Sequence, residues 1–257
     1  MNIIIITGAS SGIGREFARQ MDGHFDRTEE FWLVARSREK LEVLAKDLKH
    51  RTRIFAMDIT REESLDALEE AVFQSHAVVR ILIGCAGYGI MGSFCEQEPR
   101  LETGMVRLNC EALTDLTHRM IPYMRRGSRI IQMASSAAFL PQPGFAVYAA
   151  TKAYVLSFSR ALGEELKNAG IYVTSVCPGP VDTPFFDIAE ATGSTLAVKK
   201  YTMAEASRVV ALALKDSYYR RPVSVCSLPI KALWALSKAV PHSAILHVMA
   251  QMKKKGL

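Results

Sequence analysis

Tyr148 and Lys152 stand four residues apart in the run Tyr148-Ala-Ala-Thr-Lys152. That spacing puts both side chains on one face of a helix. An ammonium beside a phenol favours the phenolate and lowers its pKa from the usual value of about 10. A phenol prepared in this way gives a proton to an oxygen atom, or takes one from it, near neutral pH. Of the eight tyrosines, Tyr148 alone has lysine at the fourth position. Chance supplies roughly one such pair in a few hundred residues of average composition, so the weight falls on where the pair lies.

A second constellation opens the chain. Thr7-Gly8-Ala9-Ser10-Ser11-Gly12-Ile13-Gly14 follows an apolar run directly and leads into a helical pattern. Gly8 permits a tight turn, Gly12 a close backbone approach to a pyrophosphate, and Gly14 close packing of the helix. Backbone N–H groups and the helix dipole then hold phosphates, with Gly8, Ser10, Ser11, Gly12, Ile13 and Gly14 as the binding residues. The bland alternative, an ordinary glycine turn, loses ground because the motif sits at a first strand–helix junction. An acidic residue about twenty positions beyond the glycines would bind the ribose hydroxyl of NAD. Ala35 stands there instead, followed by Arg36-Ser37-Arg38. With no carboxylate to repel a 2′-phosphate and a guanidinium to receive it, NADP(H) is the expected dinucleotide, at Arg36 and Ser37. The alternative is a solvated arginine at a helix start, and Arg38 is expected to face solvent.

These residues must be positioned by a regular scaffold, and the rest of the chain supplies one. Residues 2–6, 31–35, 53–57, 79–83, 129–133 and 171–176 read as strands, several apolar at nearly every position, as in a parallel sheet covered on both faces. Helical periods lie between them. Residues 38–48 place Leu41, Leu44, Ala45 and Leu48 on one face, and residues 62–73 repeat this with Leu65, Leu68, Ala71 and Val72. Further helices are expected near 102–125, 148–168 and 203–215. Alternation of strand and helix demands right-handed crossovers and an α/β, doubly wound, Rossmann-type parallel sheet of about seven strands with helices on both faces. A last strand is expected over 221–226, and a C-terminal amphipathic helical extension over 228–257, broken by Pro241. One domain over 1–257 accommodates all of this.

Bulk properties narrow the function classes. The net charge of +6 is spread along 257 residues, and its only run is Lys253-Lys254-Lys255, so no nucleic-acid partner is expected. The five cysteines form no C-x-x-C pair and the six histidines no metal-binding pattern, so no metal site and a reducing, cytoplasmic location are expected. The first apolar run is too short for a signal peptide, and no segment reaches the apolar length of a membrane span.

Taken in order, T-G-A-S-S-G-I-G, Asp58-Ile-Thr60, Asn109, Ser135, Y-x-x-x-K and Pro178-Gly179 resemble the short-chain dehydrogenase/reductase family over residues 2 to about 190. The resemblance implies an NADP(H)-dependent oxidoreductase that interconverts a carbonyl and a secondary alcohol. It implies that Ser135, thirteen positions before Tyr148, holds the substrate oxygen, with Ser136 as the rival neighbour. Lys152 would also bond the nicotinamide ribose. Asn109 would hold a water through its helix backbone and link Lys152 to solvent; its alternative is a locally satisfied helical asparagine. Asp58 would contact the adenine with Ile59 beside it, and a carboxylate capping the next helix is equally open. Ala86 and Gly87 would border the ribose. Pro178, Gly179, Val181 and Thr183 would pass the nicotinamide. Two departures stand out. Gly84-Cys85-Ala86-Gly87 replaces the family's Asn-Asn-Ala-Gly, whose asparagine ties neighbouring strands, and the tail lacks the usual Asp-Gly-Gly ending.

The substrate is expected between residues 137–145, 88–94 and 184–201, with Gly193-Ser194-Thr195 in a mobile lid. Phe139, Leu140, Phe145, Phe185, Phe186 and Leu196 make this region apolar, which points to a lipid, steroid or aromatic carbonyl compound. Packing of these side chains onto the core is the alternative. Apolar residues of the tail, Leu228 to Val248, are expected to roof the site or form a subunit contact in a homodimer or homotetramer. Contact with an anionic membrane through the tail is the less favoured reading. The rival function is a non-catalytic NADP-binding regulator, or a membrane-peripheral protein, of the same fold. Such a protein can lose Tyr, Lys or Ser freely, and here all three remain.

Overall fold

The computed structural model describes residues 1–22, 29–190 and 203–247. Seven strands pair in parallel in the order β3-β2-β1-β4-β5-β6-β7. They are β1 (Asn2–Thr7), β2 (Glu30–Ala35), β3 (Arg51–Ala56), β4 (Val78–Gly84), β5 (Arg129–Met133), β6 (Tyr172–Val176) and β7 (Val223–Ser224). The chain starts in the centre, runs out to β3, and returns to place β4 against the other side of β1.

Alternation along β1 shows why helices cover both faces. Ile3 and Ile5 point into one core with Leu65, Leu68, Leu116 and Leu162, while Ile4 and Ile6 point into another with Phe17, Leu41, Leu44 and Val210. The first face carries α3 (Glu62–Gln74), α5 (Leu113–Met120) and α6 (Ala146–Glu165). The second carries α1 (Gly12–Asp22), α2 (Arg38–Asp47) and α8 (Ala206–Tyr218). Three shorter or peripheral helices, α4 (Pro99–Val106), α7 (Phe185–Ala189) and α9 (Leu228–Ala239), surround the mouth of the site or approach it. The doubly wound sheet expected from the sequence is therefore the fold.

Two expectations need correction. The helix expected near 102–125 is α4, a wider-wound π segment at Arg107–Ala112, and then α5. The strand expected over 221–226 shrinks to two residues, because Pro222 has no N–H for the ladder and Ser227 turns the chain at φ 77°. As expected, the tail helix is broken at Pro241: α9 ends at Ala239, and a second short helix covers residues 242–247. The Gly193-Ser194-Thr195 lid, Leu196 and Val248 lie outside the described residues.

Candidate active site

β1 and β4 are neighbours, but their connections leave in opposite directions, so a crevice opens at their carboxyl ends. A cavity of about 1080 Å³ occupies it. It runs from Arg36 and Lys40 beyond β2, over the Gly8–Gly14 turn, to Ser135, Tyr148 and Lys152, and ends among Phe145, Phe185, Ile188 and Leu233.

At the phosphate-binding turn, Gly8 has φ +66°, and a side chain on Gly14 would run into the Gly8 carbonyl. The close approach expected of Gly14 is thus to the turn itself rather than to the sheet. Ser10, Ser11, Gly12 and Ile13 all line the cavity. Past β2, Ser37 caps α2 by accepting from the Lys40 N–H at 3.4 Å and donates its hydroxyl proton to Glu39 at 3.0 Å. Arg38 faces Glu42 on its own helix at 3.9 Å, which leaves Arg36 and Lys40 as the cations at this end. Asp58 accepts from the Thr60 N–H at 3.0 Å and the Thr60 hydroxyl at 2.8 Å. Burial alone would raise its pKa, but the two Thr60 hydrogen bonds, with Arg36 and Arg61 nearby, hold it below the usual carboxylate value. Asp58 does not cap the next helix, whose N-cap is Arg61. Ile59, Ala86 and Gly87 line the same wall.

On the opposite wall, Pro178, Gly179, Val181 and Thr183 follow β6. A bridge between Val181 and Ala204 pins this loop. A Cβ on Gly12 would lie 3.3 Å from the Thr183 Cβ, so the loop reaches over the phosphate-binding turn.

The proton-transfer residues converge between these walls. Ser135 ends the segment after β5 and starts a 3-10 turn over Ser136–Phe139, its oxygen accepting from the Ala137 N–H at 3.1 Å. Ser135 and Tyr148 both line the cavity, and the Ser135 hydroxyl draws the Tyr148 pKa down. Ser136, the rival neighbour, has its N–H committed to the Pro178 carbonyl at 2.8 Å. Tyr148 and Lys152 share the buried face of α6, and the Lys152 Nζ stands 5.6 Å from the Tyr148 ring centroid. That ammonium donates to the Met133 carbonyl at 2.7 Å. Asn109 is fully buried in the π segment. Its Oδ1 accepts from the Tyr88 N–H at 3.1 Å, and its Nδ2 donates to the Tyr88 carbonyl at 2.9 Å and to the Thr151 hydroxyl at 3.1 Å. Thr151 in turn donates to the Tyr148 carbonyl at 2.8 Å. A continuous set of hydrogen bonds therefore ties the π segment to the start of α6.

The electrostatics correct one expectation. Lys152 does not lower the Tyr148 pKa in this form of the protein. Burial dominates both groups, raising Tyr148 to about 12 against a smaller downward effect of the Ser135 hydroxyl. It likewise depresses Lys152 to about 8. Desolvation disfavours either charged form more than a partner 5.6 Å away across the ring restores it.

Several site residues escaped sequence reading. The Thr7 Oγ1 accepts from the N–H groups of Cys85 and Ala86 at 3.1 and 3.2 Å and donates to the Ile83 carbonyl at 3.3 Å. It thereby ties β1 to β4 where the family's asparagine is missing. Its position just before Gly8 was the available signal. Lys40, in the first turn of α2, also lines the cavity, and no local motif marks it. Gln142, within the segment 137–145 expected to frame the substrate, and Ile230 and Leu233, in the tail expected to roof the site or form a subunit contact, line it as well.

The sequence model described as short chain dehydrogenase matches residues 2–192. The chain belongs to the short-chain dehydrogenase/reductase family. Very-long-chain 3-oxoacyl-CoA reductase-A of Danio rerio is 28% identical over 262 residues, 97% of this chain and 77% of that protein. A short-chain dehydrogenase from Sphingobium yanoikuyae in complex with NADPH superposes with a TM-score of 0.79 at 28% identity, covering 97% of this chain and 96% of that one. The bulky-bulky ketone specific alcohol dehydrogenase from Comamonas testosteroni gives 0.75 at 26% identity, covering 97% and 94%. This short-chain dehydrogenase/reductase is an oxidoreductase acting on CH–OH groups with a nicotinamide cofactor. Its residues fit that cofactor: an open backbone cradle at Gly8–Gly14, cations at one end of the cavity, and Tyr148 with Lys152 toward the other. Among the described residues no helix is long and apolar enough to cross a membrane, and no cluster of metal-ligating side chains occurs.

Proposed function

We propose that this protein is an NADP(H)-dependent reductase of hydrophobic ketones, working with Tyr148 as the proton-transferring residue. The observation that carries the reading is the convergence of Ser135, Tyr148 and Lys152 on one cavity, with Lys152 on the next turn of the helix that carries Tyr148. When bound, the nicotinamide supplies the hydride.

The chain's own residues do the rest. Ser135 holds the substrate oxygen and, with Tyr148, stabilises the charge that develops on it. Tyr148 hands its phenolic proton to that oxygen during reduction. Lys152 would bond the nicotinamide ribose. Asn109, through the backbone of its π segment, connects Lys152 to solvent so that the proton is replaced. Ser10, Ser11, Gly12 and Ile13 bind the phosphates at the N-terminus of α1. Asp58 and Ile59 border the adenine, Ala86 and Gly87 the ribose, and Pro178, Gly179, Val181 and Thr183 the carboxamide.

Support for NADP(H) comes from Ala35 and Arg36, with Lys40 as a second cation on the same rim. Apolar lining by Phe145, Phe185, Ile188, Ile230 and Leu233 supports a hydrophobic substrate. Steady-state reduction of a graded series of ketones with each dinucleotide tests both statements. NADPH should exceed NADH in kcat/KM, and Arg36→Glu should reverse that order. Lipophilic ketones should exceed small polar sugars. Equal use of NADH, or better turnover of sugars, would overturn the corresponding part.

A further inference from the structure

The Tyr148 ring is not free to move within its pocket. Phe145 stacks on it with centroids 4.2 Å apart and planes 20° from parallel. Phe185 touches it at 5.4 Å, tilted by 50°. Phe145 is the residue just before α6, three positions ahead of Tyr148, and is only 6% exposed. Its place depends on Gly89, in the segment after β4. A methyl group there would lie 2.7 Å from the Tyr148 Cδ2 and 2.8 Å from the Phe145 Cζ. Both are edges of rigid rings, so one ring or both would have to shift. Two separate crossovers, one after β4 and one after β5, thus meet at the ring that shares the cavity with Ser135.

Swinging the Tyr148 ring about Cα–Cβ carries the hydroxyl away from Ser135, because that oxygen lies at the far end of the lever. A displacement of about 1 Å is enough to lose a productive proton-transfer geometry. Phe145 closes one direction of that swing at van der Waals contact. We propose that Phe145 is a positioning residue for the proton-transfer step, seated in the space left by Gly89 and holding the Tyr148 hydroxyl beside Ser135. The proposal rests on the reading of Tyr148 as the proton-transferring group.

Phe145 also packs with Ile90, Met91 and Phe186, so loss of packing alone must be separated from loss of positioning. Kinetics of Phe145→Leu, Gly89→Ala and the double variant do this, with Tyr148→Phe as reference. Each single variant should lower kcat by about 10- to 100-fold, the scale of a misplaced catalytic group. The dissociation constant of NADPH should stay within about twofold in both, and so should KM for ketone in Gly89→Ala, which leaves the cavity lining unaltered, since the interaction lost is made in the transition state. In Phe145→Leu the alkaline limb of the pH profile should move to lower pH, because water reaching the phenol relieves the burial that raises its pKa. The double variant should lose less than the product of the single losses, since a methyl at position 89 meets a smaller neighbour when Phe145 is gone.

Parental kcat in both single variants would overturn the proposal. So would a Phe145→Leu loss with an unmoved pH limb and multiplicative losses in the double variant, the signature of packing alone. If Phe145→Leu fails to fold, Gly89→Ala, which keeps both rings, decides by its split between kcat and KM. Parental turnover in Tyr148→Phe would instead remove the reading underneath, and the proposal with it. An inactive Tyr148→Phe beside unaffected Phe145→Leu and Gly89→Ala would overturn the proposal alone.

Discussion

Lys152 is an ammonium placed where an ammonium is costly to hold. It is 5% exposed, it donates to the Met133 carbonyl, and burial depresses its pKa from 10.5 to about 8. Between those two values the unfolded chain binds more protons than the folded one, so stability rises with pH from about 8 to 10.5 and the full penalty applies below about 8. Tyr148 has the opposite sign. Its folded pKa is raised from 10 to about 12, so its contribution is lost as pH rises through that window. Lys152→Met in the cofactor-free protein should therefore be more stable than the parent at pH 7, on the order of one to a few kcal/mol. Thermal melts across pH should show the gap narrowing above pH 8; a variant less stable than the parent at pH 7 would contradict this. The Tyr148/Lys152 pair was legible in the sequence because a spacing of four is a statement about helix faces. The direction of its pKa was not, because desolvation depends on which distant side chains close over the pair, Phe145 and Cys85 among them.

At the scale of elements, Thr7 has the largest task for its size. One hydroxyl accepts from two backbone N–H groups of β4's exit and so holds β1 and β4 together where the cavity begins. Thr7→Val keeps the shape and removes the acceptor, leaving two largely buried donors unpaired. It should lower stability by about 2–4 kcal/mol and weaken NADPH binding, with Thr7→Ser restoring both. Denaturant unfolding and NADPH titration of the two variants check this. On the outer side of the same face, Arg119 meets Asp66, Glu69 and Asp115 at 2.7 to 3.0 Å and ties α3 to α5. Strands and most helices were readable, since buried parallel strands show as short, nearly continuous apolar runs and amphipathic helices carry the period 3.6 directly. The π segment at Arg107–Ala112 was not. One wider turn leaves the apolar pattern almost intact while changing which backbone groups are free, and π turns recur at functional sites for that reason. Thr7 stayed hidden because its partners lie 78 and 79 residues away.

Over the whole molecule, the site is where the sheet changes direction, and its parts come from both halves. The Gly8–Gly14 turn, Arg36 and Asp58 belong to the β1–β3 half; Ser135, Tyr148, Lys152 and Thr183 belong to the β4–β7 half. A dinucleotide spanning the crevice would join them, so binding should report on global stability. At about 100 times its dissociation constant NADPH should add about 2.7 kcal/mol, and NADH at the same concentration should add less. Equal protection by the two dinucleotides in thermal melts would contradict the cofactor preference argued from Arg36. This architecture was the most legible level, because strand–helix alternation admits few topologies. The apolar end of the cavity was legible in outline: the tail was expected to roof the site or form a subunit contact, and Ile230 and Leu233 of α9 line the cavity.

The central claim is proton transfer by Tyr148, and rapid mixing of a hydrophobic ketone with enzyme-bound NADPH tests it most directly. Tyr148→Phe should bind NADPH with the parental dissociation constant and transfer hydride about 10²- to 10⁴-fold more slowly. Hydride transfer at the parental rate in that variant would contradict the account.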